Sequence, residues 1–273
     1  MTKNDNLKQI FAKALIYHKN NKINEAANEY IKIIKLEPKF FQAYNNLGVI
    51  NERINKNNQA KELFKNAIKL NPNYIDAIYN LGNIYSKLKD YNLAKNYFEQ
   101  IIKIDSNNEK AFNALGITSY NLQNLKKAKY CFQKIININN KNYQAYYNLG
   151  KILNEEEKFE EAIKSFNQCL EIYPKHSNAY NNLGVAHNKL SLTNQAKYFI
   201  EKSIEINPNN FYSYNNLGIV YDNTYNTIKA KKNFNKAIKI NPNFADAWWN
   251  LHCCSKNTDE ALKILEKVYK IDK

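Results

Sequence analysis

One tripeptide returns along this chain at a fixed step. Asn46-Leu47-Gly48 is followed by Asn80-Leu81-Gly82, Asn148-Leu149-Gly150, Asn182-Leu183-Gly184 and Asn216-Leu217-Gly218, all on a 34-residue grid. Ala114-Leu115-Gly116 fills the one gap, and Asn250-Leu251-His252 is a last copy without its glycine. All six glycines of the chain occupy this position, and all five prolines (Pro38, Pro72, Pro174, Pro208 and Pro242) share another. Glycine and proline are the strongest local punctuation a chain has, and here they mark only the lattice. A fixed period of this size implies stacked supersecondary units that bury a continuous core between neighbours. It overrides the one or two globular domains that 273 residues would otherwise suggest.

Numbering each unit so that its glycine is position 8 gives eight units, near residues 7–40, 41–74, 75–108, 109–142, 143–176, 177–210, 211–244 and 245–273. They form a single solenoid over residues 1–273. Positions 4, 7, 8 and 11, such as Tyr44, Leu47, Gly48 and Asn51, follow the i, i+3, i+4, i+7 spacing of an amphipathic helix. A second stripe runs through Ala60, Leu63, Phe64, Ala67 and Ile68. Each unit is therefore read as two helices, A and B, joined by a polar link such as Asn55-Lys56-Asn57. Proline at position 32 ends helix B; Ser106 and Asn140, both turn formers, replace it in two units. Glycine inside a helix costs about 1 kcal/mol against alanine. Its recurrence predicts a close approach of helix B, with Ala60 and its equivalents expected to meet it. The fold class is all-α.

Tyr44-x-x-Leu47-Gly48, Ala60-x-x-x-Phe64, Ala67 and Pro72 together resemble the tetratricopeptide repeat, over essentially the whole chain. The resemblance implies antiparallel helix pairs in a right-handed superhelix, helix A lining the concave side, and a protein-binding role. Departures fall mainly at the ends, with Ile200 replacing the phenylalanine internally. Lys13 stands for the leucine of unit 1, and Ala261 comes three residues early relative to Leu265 in unit 8.

At 100° per residue, positions 2, 5, 6, 9 and 13 of helix A are expected to form the groove. Position 6 is Asn46, Asn80, Asn148, Asn182, Asn216 and Asn250, broken only by Ala114. A carboxamide carries a donor and an acceptor together, which matches a peptide bond whatever the ligand's side chains. The expectation is a ladder that holds an extended polypeptide by its backbone, with Tyr79, Tyr147 and Trp249 against its side chains and Lys151 on the same face. The ladder resembles that of the superhelical repeats in O-linked N-acetylglucosamine transferases, which implies those asparagines as substrate-backbone contacts. The same asparagines also fit a shared repeat template. A carboxylate clamp of the chaperone-adaptor type is excluded, because position 5 is never lysine.

The net charge of +15 raises nucleic acid as a partner. Only Arg53 of the 40 basic residues is arginine, and the five groove positions carry an excess of only two positive charges over units 2 to 8. Much of the charge falls on helix B, where Lys61, Lys95, Lys129, Lys197 and Lys231 share position 21 and are expected to face solvent. A protein or peptide partner is therefore favoured over nucleic acid. The four cysteines lack the spacing of a disulfide framework or a Cys-x-x-Cys pair, and His252, Cys253 and Cys254 cannot all face one ion from consecutive helix positions. The sequence reads as having no membrane span, phosphate loop or nucleophile–base motif, and no signal peptide is expected. The expectation is a cytoplasmic, non-catalytic scaffold without cofactor or metal, the alternative being the substrate-targeting segment of a larger, glycosyltransferase-like group-transfer enzyme.

Overall fold

The computed structural model describes residues 3–255 and Lys267. Among the described residues there are fifteen α-helices and no strand. The chain divides into two compact units, residues 1–138 and the part from Asn139 onward. The first holds α1 (Lys3–Lys19), α2 (Ile23–Leu36), α3 (Phe41–Arg53), α4 (Asn57–Leu70), α5 (Ile75–Lys87), α6 (Tyr91–Ile104), α7 (Glu109–Asn121) and α8 (Leu125–Ile138). The second holds α9 (Tyr143–Glu155), α10 (Phe159–Ile172), α11 (Ser177–Lys189), α12 (Thr193–Ile206), α13 (Phe211–Asn223), α14 (Thr227–Ile240) and α15 (Ala245–Cys253). The early Ala261 and the second helix expected in the last repeat lie outside the described residues.

Odd-numbered helices are the A helices. An A helix packs on its own B helix, on the preceding B helix and on the next A helix, as α3 does on α4, α2 and α5 in the first unit and α11 on α12, α10 and α13 in the second. In α3 this crowding shifts the buried stripe from the one expected, whereas Ile78 of α5 and Phe112 of α7 at position 4 and Leu153 of α9 at position 11 are buried as the spacing requires. The buried residues of α3 are Ala43, Asn45, Leu47, Gly48 and Ile50, at positions 3, 5, 7, 8 and 10, while Tyr44 and Asn51 are only half-buried. Alanine at position 3 recurs as Ala77, Ala111, Ala145, Ala179 and Ala247, all buried. On helix B the stripe is as the spacing requires, with Ala60, Phe64 and Ala67 buried in α4.

The atom nearest each glycine does not belong to the alanine that the pattern suggested, which comes within reach at Gly184 through the backbone oxygen of Ala196. A Cβ on Gly48, Gly82, Gly116, Gly150 or Gly218 would fall 2.4–2.9 Å from the nearest ring atom of Phe64, Phe98, Phe132, Phe166 or Phe234 respectively. In each case one edge of the ring comes against backbone that has no side chain. In the repeat where Ile200 replaces the phenylalanine, a Cβ on Gly184 would meet its Cγ1 at 2.5 Å and the backbone oxygen of Ala196 at 2.9 Å.

Each of the seven described A–B connections has three residues, and the second has a positive φ, between 58° and 61°: Asn21, Asn55, Lys89, Gln123, Glu157, Ser191 and Tyr225. Between α3 and α4, the Lys56 N–H reaches back to the Asn51 carbonyl at 2.8 Å and the Asn55 N–H to that of Glu52 at 2.9 Å. This is a left-handed C-cap that satisfies the last carbonyls of helix A. The handedness follows from the need to reverse direction in three residues, yet no glycine occupies the site. Gln123→Gly should therefore raise stability by about 0.5–1 kcal/mol, since a side chain at such a φ costs about 1–2 kcal/mol and glycine's extra unfolded freedom offsets part of the gain. Urea unfolding of the variant measures it.

Candidate functional site

The 34-residue period brings position 6 of one A helix beside position 5 of the A helix before it. In the first unit, Asn80 Nδ2 on α5 donates to Asn45 Oδ1 on α3 at 3.0 Å. In the second, Asn216 Nδ2 donates to Asn181 Oδ1 at 3.0 Å and Asn250 Nδ2 to Asn215 Oδ1 at 2.9 Å. The accepting asparagines were expected to line the groove. They are instead 4%, 6% and 5% exposed, because the next repeat lies over them. Where position 5 is Tyr147, Asn182 Nδ2 reaches its hydroxyl at 3.4 Å. Asn46 finds the Tyr30 hydroxyl at 3.3 Å, on the B helix before it.

All six position-6 asparagines are half-buried, neither sealed nor fully open. Asn46 and Asn182 already accept at Oδ1, from Asn45 and Asn181, as well as donate. Asn148 is bonded within its own helix by Gln144 at 3.5 Å. Ala114, at the same position in α7, is half-buried and has no polar group to offer.

A second row of rungs, which the repeat pattern did not reveal, links positions 13 and 12 of successive A helices. Lys87 pairs with Glu52 in the first unit, and Asn223 Nδ2 donates to Asn188 Oδ1 at 3.4 Å in the second. Changing residue type along this row hides it from a search for identity.

Two cavities open on this face. One of about 630 Å³ in the first unit is lined by Asn45, Asp76, Tyr79, Asn80, Asn108 and Glu109, among others. One of about 450 Å³ in the second is lined by Val185, Asn188, Lys189, Asn216, Ile219 and Asn223, among others. Tyr79 and Asn80 thus meet in the first and Asn216 lines the second. The Tyr79 ring also packs on Phe98 at 5.8 Å. Tyr147 packs on Phe166 at 6.2 Å and on His176 at 4.6 Å, and burial raises its hydroxyl pKa. Trp249 is exposed, with its ring 5.6 Å from His252, and Lys151 is half-buried on α9. The position-21 lysines differ from expectation: all five are half-buried rather than open to solvent. Their aliphatic stems cover apolar surface, and Lys197 Nζ ends 5.6 Å from the centre of the Tyr221 ring.

His176 precedes α11, and its Nδ1 accepts from the Ala179 N–H at 3.1 Å, where Asn108 and Asn142 use their side-chain oxygens in the same way. Only a neutral imidazole can accept there, and burial lowers the pKa of this ring. Folded His176 therefore binds its proton less readily than the unfolded chain does. Its contribution to stability is complete above the ordinary histidine value of about 6.5 and falls away as pH drops below it. Burial lowers His18 in the same sense. His176→Asn keeps a cap acceptor and should remove part of the stability loss between about pH 6.5 and 5, measured by thermal unfolding across that range.

The four cysteines are free thiols. Burial pushes Cys131, Cys169 and Cys254 up to about 12. Cys253 is exposed and Cys254 buried, with its Sγ 3.3 Å from Asp222 Oδ1, so the neighbouring thiols face different surroundings. A thiol reagent applied to the native protein should modify Cys253 rapidly, and the three buried cysteines only as the fold opens; mass spectrometry of a labelling time course reads this directly. Among the described residues, no helix is long and apolar enough to cross a membrane.

Comparison with known proteins bears on the same geometry. Family profiles described as "Tetratricopeptide repeat" match residues 75–108, 143–176, 177–210 and 199–232, and one described as "TPR repeat" matches 14–54 and 53–89. Together they span residues 14–108 and 143–232, more than half of the chain. No curated protein sequence matches. Among solved structures, YrrB, titled a TPR protein with an unusual peptide-binding site, is 25% identical at a TM-score of 0.61, over 68% of this chain and 96% of its own. A tetratricopeptide repeat protein from Parabacteroides merdae is 18% identical at 0.67, over 96% of this chain and 98% of its own. The C-terminal part of a TPR repeat-containing protein from Cytophaga hutchinsonii is 20% identical at 0.69, over 88% and 99%. The recurrent glycine–phenylalanine contact, the paired helices and these matches agree: the chain belongs to the tetratricopeptide repeat family.

Proposed function

We propose that this protein is a non-catalytic interaction scaffold whose A-helix face holds an extended polypeptide by its backbone. The observation that carries the reading is the inter-repeat bond of Asn80 and Asn216. Each carboxamide has two N–H donors and an oxygen with two lone pairs. The bond to Asn45 or Asn181 uses one donor. It also fixes the side chain, so that a ligand need not order it on binding. Both asparagines line cavities, and a carboxamide pairs with either half of a peptide group. In this reading Asn80, Asn216 and Asn250 are the strong rungs. Asn46 and Asn182, already engaged at both ends, are weaker, and Asn148 completes the series without an inter-repeat tie. Tyr79, Tyr147 and Lys151 border the ligand's side chains. The peptide-binding site named for YrrB supports the same class of ligand.

The test begins with selection of binding peptides from a random library on the immobilised protein. The best peptide is then resynthesised with alternate backbone N-methylation, which removes its N–H donors and keeps its side chains. Binding should fall at least about tenfold for one of the two alternating patterns, and by a similar factor for unmodified peptide on the Asn80→Ala, Asn216→Ala protein. Unchanged affinity in both experiments rejects backbone recognition.

A further inference from the structure

Of the two cavities on the A-helix face, the one in the second unit gathers three departures from the repeat. Ile200 of α12, which lines it, stands where five other B helices carry phenylalanine. Val185 and Ile219 put aliphatic side chains at position 9 of successive A helices, whereas Val49 is followed there by Asn83 and Ile117 by Lys151. With Val220 these residues give the cavity its aliphatic lining. Ile200 and Val220 are buried, and Val185 and Ile219 half-buried above them. Asn216, the rung tied to Asn181, lines the same cavity.

The third departure is Lys189, the one charged side chain in the lining, exposed at position 13. Its equivalent on α5, Lys87, is paired with Glu52 on the A helix before it. On α9 the place of Glu52 is taken by Asn154, whose Nδ2 donates instead to the Asn182 carbonyl at 3.3 Å. Lys189 makes no ion pair among the described residues, α11 carries no carboxylate, and none lines the cavity. Donors abound beside it: Asn188 uses only its oxygen in the bond from Asn223, and Asn216 has given one N–H of two to Asn181. The cavity of the first unit has the opposite character, with Asp76, Asp105 and Glu109 against Lys110. The unanswered positive charge is therefore a property of this cavity and not of the face as a whole.

We infer that this cavity selects the sequence of the bound polypeptide: it takes one aliphatic side chain between Val185 and Ile219 and pairs Lys189 with an aspartate or glutamate within two residues of it. The inference rests on the reading above, which places an extended segment at Asn216. Side chains two apart in such a segment share a face, so the acid stands on the same side as the aliphatic residue. The flexible four-carbon stem of lysine lets Nζ follow it there. Apolar fit alone would admit any aliphatic segment. The cation makes the site discriminate, because a basic residue beside the aliphatic one would meet Lys189 with no carboxylate in the lining to offset it.

The test compares peptides selected from one random library on the immobilised full chain and on its Lys189→Glu variant. Lys189 is exposed, so the variant should keep the wild-type far-ultraviolet circular dichroism. The wild-type pool should be enriched in an aliphatic residue with aspartate or glutamate within two positions. The variant pool should keep the aliphatic residue and exchange the acid for lysine or arginine. In the best wild-type peptide, replacing the aliphatic residue by alanine should weaken binding about tenfold. Replacing its acid by the matching amide should weaken binding about two- to fivefold in about 0.05 M salt, and less in about 0.5 M. That second loss should vanish on Lys189→Met protein. Ile219→Asn, which borrows the residue α5 has at this position, should relax the aliphatic requirement and leave the acidic one. A wild-type pool without the acidic neighbour, or the same charge preference on Lys189→Glu protein, overturns the inference. Backbone N-methylation of the same peptide reports separately. Binding indifferent to it, with the charge reversal intact, would reject the backbone reading and keep Lys189 as the selecting residue.

Discussion

Gly150→Ala should lower stability by about 1–2 kcal/mol, against the direction of helix propensity. In an exposed helix the change would gain about 1 kcal/mol. Here the new methyl falls 2.6, 2.8 and 2.9 Å from three atoms of the Phe166 ring. That ring is fully buried and cannot swing away like the tip of a flexible chain. Overpacking of a dense core costs about 1–3 kcal/mol, and so close a contact lies at the upper end, so packing wins. Chemical denaturation of the single variants and of Gly150→Ala with Phe166→Leu separates the terms. The double variant should be more stable than the sum of the two single changes requires, because leucine vacates the space the methyl needs. Gly184 supplies an internal contrast. Its methyl would also meet the Ala196 backbone oxygen at 2.9 Å, so trimming Ile200 to valine should restore little.

The second large effect concerns the carboxamides. Asn216→Ala removes the donor that Asn181 Oδ1 uses at 3.0 Å, and Asn181 is buried. A buried acceptor left without its partner costs about 1–3 kcal/mol. Asn80→Ala should do the same to Asn45, and Asn250→Ala to Asn215. Asn148→Ala breaks only a 3.5 Å contact with Gln144 on its own helix and should cost under about 0.5 kcal/mol. Thermal unfolding of the four single variants therefore divides asparagines that look identical in the repeat. An equal loss at all four would mean that the inter-repeat bonds add nothing.

How far the chain could be read in advance follows from what each residue depends on. The helix pairs were legible because glycine, proline and the A–B spacing act locally and recur. The glycine's neighbour was not. Ala60 and Phe64 lie one turn apart on the same helix, and only the three-dimensional crossing decides that the ring of Phe64, not the methyl of Ala60, covers Gly48. The left-handed turn residue was hidden because Lys89, Gln123, Glu157, Ser191 and Tyr225 carry none of the usual signs of positive φ. A helical wheel put Asn45 and Asn46 side by side on one open face. It treats a helix as alone, whereas a stacked repeat covers position 5 and leaves position 6 half-open.

The central claim is that the same carboxamides tie one repeat to the next and hold a ligand's backbone. Side-chain amide resonances of Asn80 and Asn216, followed by nuclear magnetic resonance during titration with a selected peptide, test it most directly. Both pairs of N–H signals should move with saturation by the peptide and stay in place with its N-methylated counterpart. A peptide that binds tightly while these signals remain where they were in the free protein contradicts the account.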